Sequence, residues 1–141
     1  MMTDEDYIEL LKRNDDPDRW ETPLGFDYGR ESQDAQNFVN ELQEKLHREI
    51  KFESGSHIQD ASFHSQILFG QDSLRFSSFG RFAAFSPDAE LPEEDCQIIK
   101  GLLEKRGYVL VPTRLLETKY TGKNPGVTGI RTWWIRFFDW V

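Results

Sequence analysis

Residues 61–85 read ASFHSQILFGQDSLRFSSFGRFAAF. Apolar and polar residues alternate on both sides of positions 70–73, and a period of two is typical of strands with one buried face. Glycine, aspartate and serine within 70–73 favour a turn. We therefore predict an antiparallel hairpin with strands at 57–69 and 74–85. The predicted inward residues are Ala61, Phe63, Ile67 and Phe69 in the first strand, and Leu74, Phe76, Phe82 and Ala84 in the second.

One position in the second strand breaks this alternation. Phe79 is out of phase beside Gly80. An extra residue next to a glycine is typical of a β-bulge or a sharp bend. The sequence therefore predicts an irregularity inside a single strand at this point.

Helices are predicted before and after the hairpin. Apolar residues spaced three and four apart follow Ser32, which predicts a helix capped by Ser32. A second helix is predicted from Pro92, with acids in its first turn and Gly107 just beyond its end. Thr3 followed by three acids predicts a short helix near the start of the chain.

The remaining elements complete an α+β fold. Residues 50–54 and 108–111 are predicted to form short strands, the second of which resumes after Pro112 as far as Tyr120. Residues 121–129 are predicted as a loop and 130–140 as the last strand. The order α-α-β-β-β-α-β-β predicts a single antiparallel, curved sheet of about five strands with two main helices on one face.

The predicted last strand is apolar on both sides. Trp134 and Trp140 lie on one face, and the other face carries further aromatic residues. One interpretation is a central strand covered by helices and by Trp20, Phe26 and Tyr28 of the N-terminal segment. The other is that Trp134 and Trp140 contact another chain, because tryptophan is enriched at interface hot spots.

Length and composition predict one domain in the cytoplasm. The 141 residues suit a single core. We predict an acidic N-terminal segment over residues 1–30, packed on an α+β domain over 31–141. The acidic residues of 1–6 differ from a secretory signal, the single cysteine Cys96 does not indicate an oxidising compartment, and no apolar run approaches the ~20 residues of a membrane span.

The net charge indicates which class of macromolecule the chain could bind. The chain carries −8, and residues 1–60 alone hold 16 acids and 7 bases, a balance of −9. This charge repels phosphate backbones, which argues against nucleic acid. It attracts a basic protein, although it also serves solubility.

No pattern predicts catalysis, a metal or a cofactor. On a strand, Asp60 and His64 are roughly 13 Å apart, at ~3.3 Å per residue, and His57 points the other way. Cys96 has acidic neighbours and no histidine nearby in sequence, which argues against a nucleophile. The glycine-rich segment 121–126 lacks the phosphate-binding pattern.

The order of elements is similar to that of type III secretion chaperones, which are small, acidic and dimeric. The predicted chain lacks their final helix and has an extra N-terminal segment. The resemblance therefore implies a fold and carries no function over.

Three functional hypotheses follow. The first is a non-catalytic acidic protein-binding domain, in its specific form an immunity or inhibitor protein that neutralises a basic toxin or nuclease. The second is a small-ligand-binding domain or enzyme, with His64, Arg75 and Arg81 in a cleft between sheet and helices. The third is a homodimer through the C-terminal strand. Predicted partner contacts are Asp15, Asp16, Asp18, Trp20, Glu21, Asp27, Trp134 and Trp140.

Overall fold

The computed structural model describes residues 2–16, 18–19, 21–46, 48–55, 58, 61–122 and 131–139. Five helices and five strands are found in them. The elements in chain order are α1 Asp4–Arg13, α2 Tyr28–Lys45, β1 Lys51–Ser54, β2 Phe63–Phe69, β3 Asp72–Ser77, β4 Phe82–Phe85, α3 Glu93–Lys105, β5 Val109–Leu110, α4 Thr113–Leu116 and α5 Trp133–Phe138.

The strands form one open sheet in the order β1-β2-β3-β4-β5. The first four pair antiparallel, with Ile67 opposite Leu74 in the predicted hairpin. β5 pairs parallel to β4, because α3 lies between them in the chain and carries it back to the same end of the sheet. The α+β class and the mostly antiparallel five-stranded sheet are confirmed.

The predicted second strand is in fact two strands. Gly80 and Arg81 have φ of 59° and 54°, and the Phe82 amide donates to the Phe79 carbonyl at 3.3 Å. Two successive left-handed residues are the signature of a tight hairpin turn, so the chain reverses here. The prediction that Leu74, Phe76, Phe82 and Ala84 share one face was therefore wrong: the first two face one core cluster and the last two another.

This turn gives a prediction about two glycines. Gly80 and Gly70 both have positive φ, but a Cβ on Gly80 would lie 2.8 Å from the Phe82 ring, whereas a Cβ on Gly70 meets nothing within 4 Å. Gly70→Ala is expected to cost about 1 kcal/mol from backbone strain alone. Gly80→Ala has the same backbone strain and also overpacks the turn. Its free energy of unfolding, measured in urea, is therefore expected to fall by at least about 1 kcal/mol more than that of Gly70→Ala. Equal losses would contradict the crowding at the turn.

One face of the sheet is covered by α2 and α3, as predicted. Phe38 and Leu42 of α2 and Ile99 and Leu103 of α3 are buried against Phe76 and its neighbours. α3 follows Pro92, and Gly107 has φ of 82° just beyond its end. α2 begins earlier than predicted, because the cap is the Asp27 side chain and not Ser32. The predicted boundary after residue 30 therefore falls inside its first turn.

The predicted last strand was wrong. Residues 133–138 form helix α5, and the Thr132 side chain caps it by accepting from the Ile135 amide at 3.3 Å. Helical spacing stacks Trp133 on Phe137 and Trp134 on Phe138, with ring centroids 6.0 Å and 5.3 Å apart. An apolar run without alternation suits a buried helix as well as a buried strand. The predicted continuation of the strand after Pro112 was also wrong, since 113–116 form α4.

Helix α5 covers the second face of the sheet. It packs with Leu11 of α1, Leu116 of α4 and the strand residues Phe82 and Ala84. Two of the three residues that we predicted as a lid, Phe26 and Tyr28, pack around His64 instead. The third, Trp20, lies outside the described residues. In the part of the chain described, no helix is both long and apolar enough to cross a membrane.

Candidate functional site

The acidic loop, residues 14–27, is tied to helix α5 by a buried ion pair. Arg136 Nε donates to Asp15 Oδ1 at 2.7 Å, and both side chains are fully buried. Tyr120 donates its hydroxyl hydrogen bond to the other oxygen of Asp15. The structure therefore places Asp15, a predicted partner contact, in the interior, where it binds the chain's own arginine.

Arg136 also holds the backbone of the loop. Its Nη2 donates to the carbonyls of Asp16 at 3.1 Å and Arg19 at 2.7 Å. Its guanidinium lies 4.6 Å from the ring centroid of Phe79. A planar guanidinium can bind several acceptors at once, which lysine cannot do in the same way. A residue of helix α5 thus holds the loop at Asp15, Asp16 and Arg19.

The other predicted contact residues are divided between surface and core. Asp18 and Glu21 are exposed, and Asp16 is half-buried, its Oδ1 accepting from the Asp18 amide at 2.9 Å. Asp27 is exposed and caps α2. Trp134 is buried, with the Arg75 guanidinium 5.4 Å from its ring centroid. Trp20 and Trp140 lie outside the described residues.

Sequence reasoning missed the exposure of one apolar side chain in the acidic loop. Leu24 is 80% exposed. It stands between Pro23 and Gly25, and Phe26, two residues on, packs against His64 at a centroid distance of 5.9 Å. The sequence feature that could have indicated this exposure was a leucine placed between a proline and a glycine in an acidic loop. The loop thus presents an apolar side chain with acidic neighbours.

Arg81, in the β3–β4 turn, joins helix α2 to the end of α3. Its Nη1 lies 3.2 Å from both Glu31 Oε2 and Asp34 Oδ2, and its Nη2 donates to the Arg106 carbonyl at 2.8 Å. Its guanidinium lies 4.1 Å from the ring centroid of Tyr108. The left-handed backbone conformation of Arg81, with φ of 54°, is strained, and these contacts together offset the strain.

Two titratable groups beside Arg81 are kept neutral. The pKa of His64 is lowered to about 4, chiefly by burial and secondly by the positive charge of Arg81, against the opposing effect of Asp34. Burial raises the pKa of Tyr108 to about 12. His64 Nδ1 lies 2.9 Å from Ser65 Oγ, and Tyr108 Oη has no hydrogen-bond partner among the described residues.

Two cavities flank Arg81. One, of about 260 Å³, lies between the acidic loop and the β3–β4 turn and is lined by Leu24 and Glu31 among others. The second, of about 380 Å³, is lined by Asp34, Tyr108 and the end of α3. Arg81 lines both, so the candidate site consists of the acidic loop and the two cavities beside it.

The cleft with His64, Arg75 and Arg81 does not form. Arg75 lies on the opposite sheet face, where Nη1 donates to the Phe138 carbonyl at 2.6 Å and lies 3.8 Å from Asp139 Oδ1. Its guanidinium is 4.4 Å from the Phe63 ring centroid. Successive strand residues point to opposite faces, which separates Arg75 from its neighbour Phe76 and from His64. Only His64 and Arg81 are close enough to influence each other.

The remaining candidate groups have local structural roles or fall outside the description. Cys96 is half-buried, with Sγ 3.8 Å from the Leu91 carbonyl, and burial, Glu93 and Asp95 raise its pKa. Among the described residues no three His, Cys, Asp or Glu side chains form a group that could hold a metal. His57, Asp60 and most of the 121–129 loop lie outside the described residues.

No protein-family model, curated protein or solved structure matches this chain.

Proposed function

We propose that this chain is a non-catalytic domain that binds a basic protein through its acidic loop, in the manner of an immunity or inhibitor protein that neutralises a toxin or nuclease. The observation that carries the proposal is Leu24, exposed between the exposed acids Glu21 and Asp27 on an anchored loop. The partner that this surface suits has an apolar pocket with lysine or arginine around it.

The charge and the apolar side chain have different roles in this proposal. Negative charge over residues 1–60 steers a basic partner and raises the association rate at low salt. Burial of a leucine side chain is worth about 1.5–3 kcal/mol, which lengthens the lifetime of the complex. The contacts of Arg136 and Phe26 hold the loop before binding, so less conformational entropy is lost on association.

Charge reversal in the loop tests this proposal. The partner is isolated by cross-linked capture, purified and measured against Asp18→Lys/Glu21→Lys and against a control, Glu44→Lys/Glu104→Lys, which reverses two exposed acids elsewhere. We expect the loop variant to weaken binding about tenfold or more at low salt, and the control to bind like wild type. Leu24→Ser is expected to raise the dissociation rate with the salt dependence retained. Equal weakening by both charge variants would contradict a specific role of the loop.

The other two hypotheses have less support. Arg75 does not join the ligand cleft that we predicted, although the cavity beside Tyr108 leaves room for a small molecule. The homodimer was predicted through a C-terminal strand, and over residues 133–138 this segment is a helix with its aromatic side chains buried in the same chain.

A further inference from the structure

The smaller cavity beside Arg81 is a groove with one apolar wall. Pro23, Leu24 and Phe26 of the acidic loop contribute this wall, and the β3–β4 turn forms the other. Phe26 packs against His64 in the first wall, and the buried rings of Phe79 and Phe82 anchor the turn that forms the second. A groove of about 260 Å³ has room for one long side chain, and these contacts limit the rearrangement needed to receive it.

Two carboxylates in the groove have an oxygen available. Asp27 Oδ1 accepts from the Arg30 amide at 3.1 Å, and Glu31 Oε2 accepts from Arg81 at 3.2 Å. The second oxygen of each carboxylate accepts no hydrogen bond from the residues that the structure describes. The two residues are four apart at the start of α2, so both are near the same end of the groove.

The groove also contains two arginines. The guanidinium of Arg81 is already bound to Glu31, Asp34 and the Arg106 carbonyl, whereas Arg30 is exposed. Within the groove, Asp27 and Glu31 balance Arg30 and Arg81. Asp34, which lines the neighbouring cavity, also accepts from Arg81, so a second carboxylate shares the charge of that arginine. The exposed acids of the nearby loop add further negative charge around the groove, so a cation is favoured over an anion.

We infer that this groove receives an arginine side chain of the basic partner, an inference that rests on the proposed function. The aliphatic stem of an arginine packs against Pro23, Leu24 and Phe26, while its planar fork donates to the available oxygens of Asp27 and Glu31. An apolar wall that ends at two carboxylates matches this side chain better than a compact ammonium or an uncharged apolar group.

The test uses n-butylguanidinium chloride, a guanidinium on an aliphatic stem, titrated into the whole chain while amide chemical shifts are recorded by NMR. We expect saturable shifts confined to residues 23–31 and 77–81. Methylguanidinium, which lacks the stem, is expected to bind more weakly. Glu31→Gln, which keeps an acceptor for Arg81, and Asp27→Ser, which keeps a good helix cap, are each expected to weaken binding about fivefold.

Two further variants test which sign of charge the groove prefers and provide a control for changes outside it. Arg30→Gln is expected to tighten binding because it removes a competing cation, and Glu44→Gln, exposed on the same helix but remote from the groove, is expected to change nothing. Shifts spread over the whole acidic surface without saturation would overturn the inference. So would the opposite pattern, in which Arg30→Gln weakens binding and chloride or phosphate competes for the groove.

The failure of this inference differs from a failure of the proposed function. A purified partner that loses affinity with Asp18→Lys/Glu21→Lys but binds Glu31→Gln and Asp27→Ser like wild type would leave the acidic loop as the interface and remove the arginine from the groove. A partner indifferent to all four changes would remove both.

Discussion

Replacement of Arg136 by methionine is expected to lower the free energy of unfolding by about 3–5 kcal/mol, because it leaves the Asp15 carboxylate buried without its cation. The pair is fully buried, with Arg136 Nε 2.7 Å from Asp15 Oδ1. The variant also loses the hydrogen bonds to the Asp16 and Arg19 carbonyls. Urea unfolding, followed by tryptophan fluorescence, measures the loss.

The exposed pair of Arg114 and Asp4 is the matched control. These side chains also form two hydrogen bonds, at 2.8 Å and 2.9 Å, but both are largely in solvent. Water and salt screen such a pair, so Arg114→Met is expected to leave the unfolding midpoint nearly unchanged. If Arg136→Met cost no more than Arg114→Met, the buried pair would not be what anchors the loop.

A double variant separates the ion pair from simple loss of packing. In Asp15→Asn/Arg136→Met neither a buried charge nor its counterion is present. The double variant is therefore expected to be more stable than the sum of the single losses predicts, by about 1–3 kcal/mol. Additive losses would indicate that the two charges act independently.

Acidification from pH 7 to pH 4 is expected to destabilise the protein by up to about 3 kcal/mol through His64 alone. Burial lowers the pKa of His64 to about 4 in the folded chain, against the ordinary value of 6.5 that applies when the chain is unfolded. Between these values the unfolded chain binds a proton that the folded chain does not. Stability from this group is therefore complete above pH 6.5 and is lost as the pH falls toward 4.

A variant without the imidazole isolates this effect. His64→Gln keeps a polar group beside Ser65 and is expected to have a shallower loss of stability between pH 6.5 and 4, measured by urea unfolding at each pH. The pKa values of Asp4 and Glu41 are lowered by their basic partners, so their contributions are lost at lower pH and are common to both proteins. Parallel curves for wild type and His64→Gln would show that His64 is not held neutral in the core.

Protonation of His64 at low pH is also expected to disturb the candidate functional site. Phe26 of the acidic loop packs against the imidazole, and Arg81 lies close enough to affect its pKa. A charged imidazole would be repelled by Arg81 and would lie among aromatic rings. Loss of stability at low pH is therefore expected to begin at the loop and the β3–β4 turn.

Sequence patterns predicted an element correctly where its own residues carry a distinctive periodicity, turn or cap. The alternation in residues 61–76 and the turn at Gly70 predicted the β2–β3 hairpin, and the acids and the glycine around residues 92–107 predicted α3. The helix α5 was not predictable in the same way. Its apolar run suits both a helix and a strand, and the choice depended on contacts with Leu11, Phe82 and Leu116, which are far away in sequence.

The candidate site could be predicted only in part for the same reason. Net charge identified the acidic segment, and the structure places Asp18, Glu21 and Asp27 on the surface. It could not indicate that Asp15, one residue before Asp16, turns inward to an arginine 121 positions later. Nor could it show that Leu24 is exposed while Phe26 is held against His64.

The amino-acid sequence by itself determined the α+β class, the central hairpin, the two main helices and the concentration of negative charge in the first sixty residues, because periodicity, turn chemistry and charge are properties of neighbouring residues. Tertiary structure alone decided that the closing aromatic segment is a helix, that Arg136 neutralises Asp15, and that Arg81 lies between two cavities. Burial makes these contacts strong, and burial depends on parts of the chain that no local pattern relates to one another.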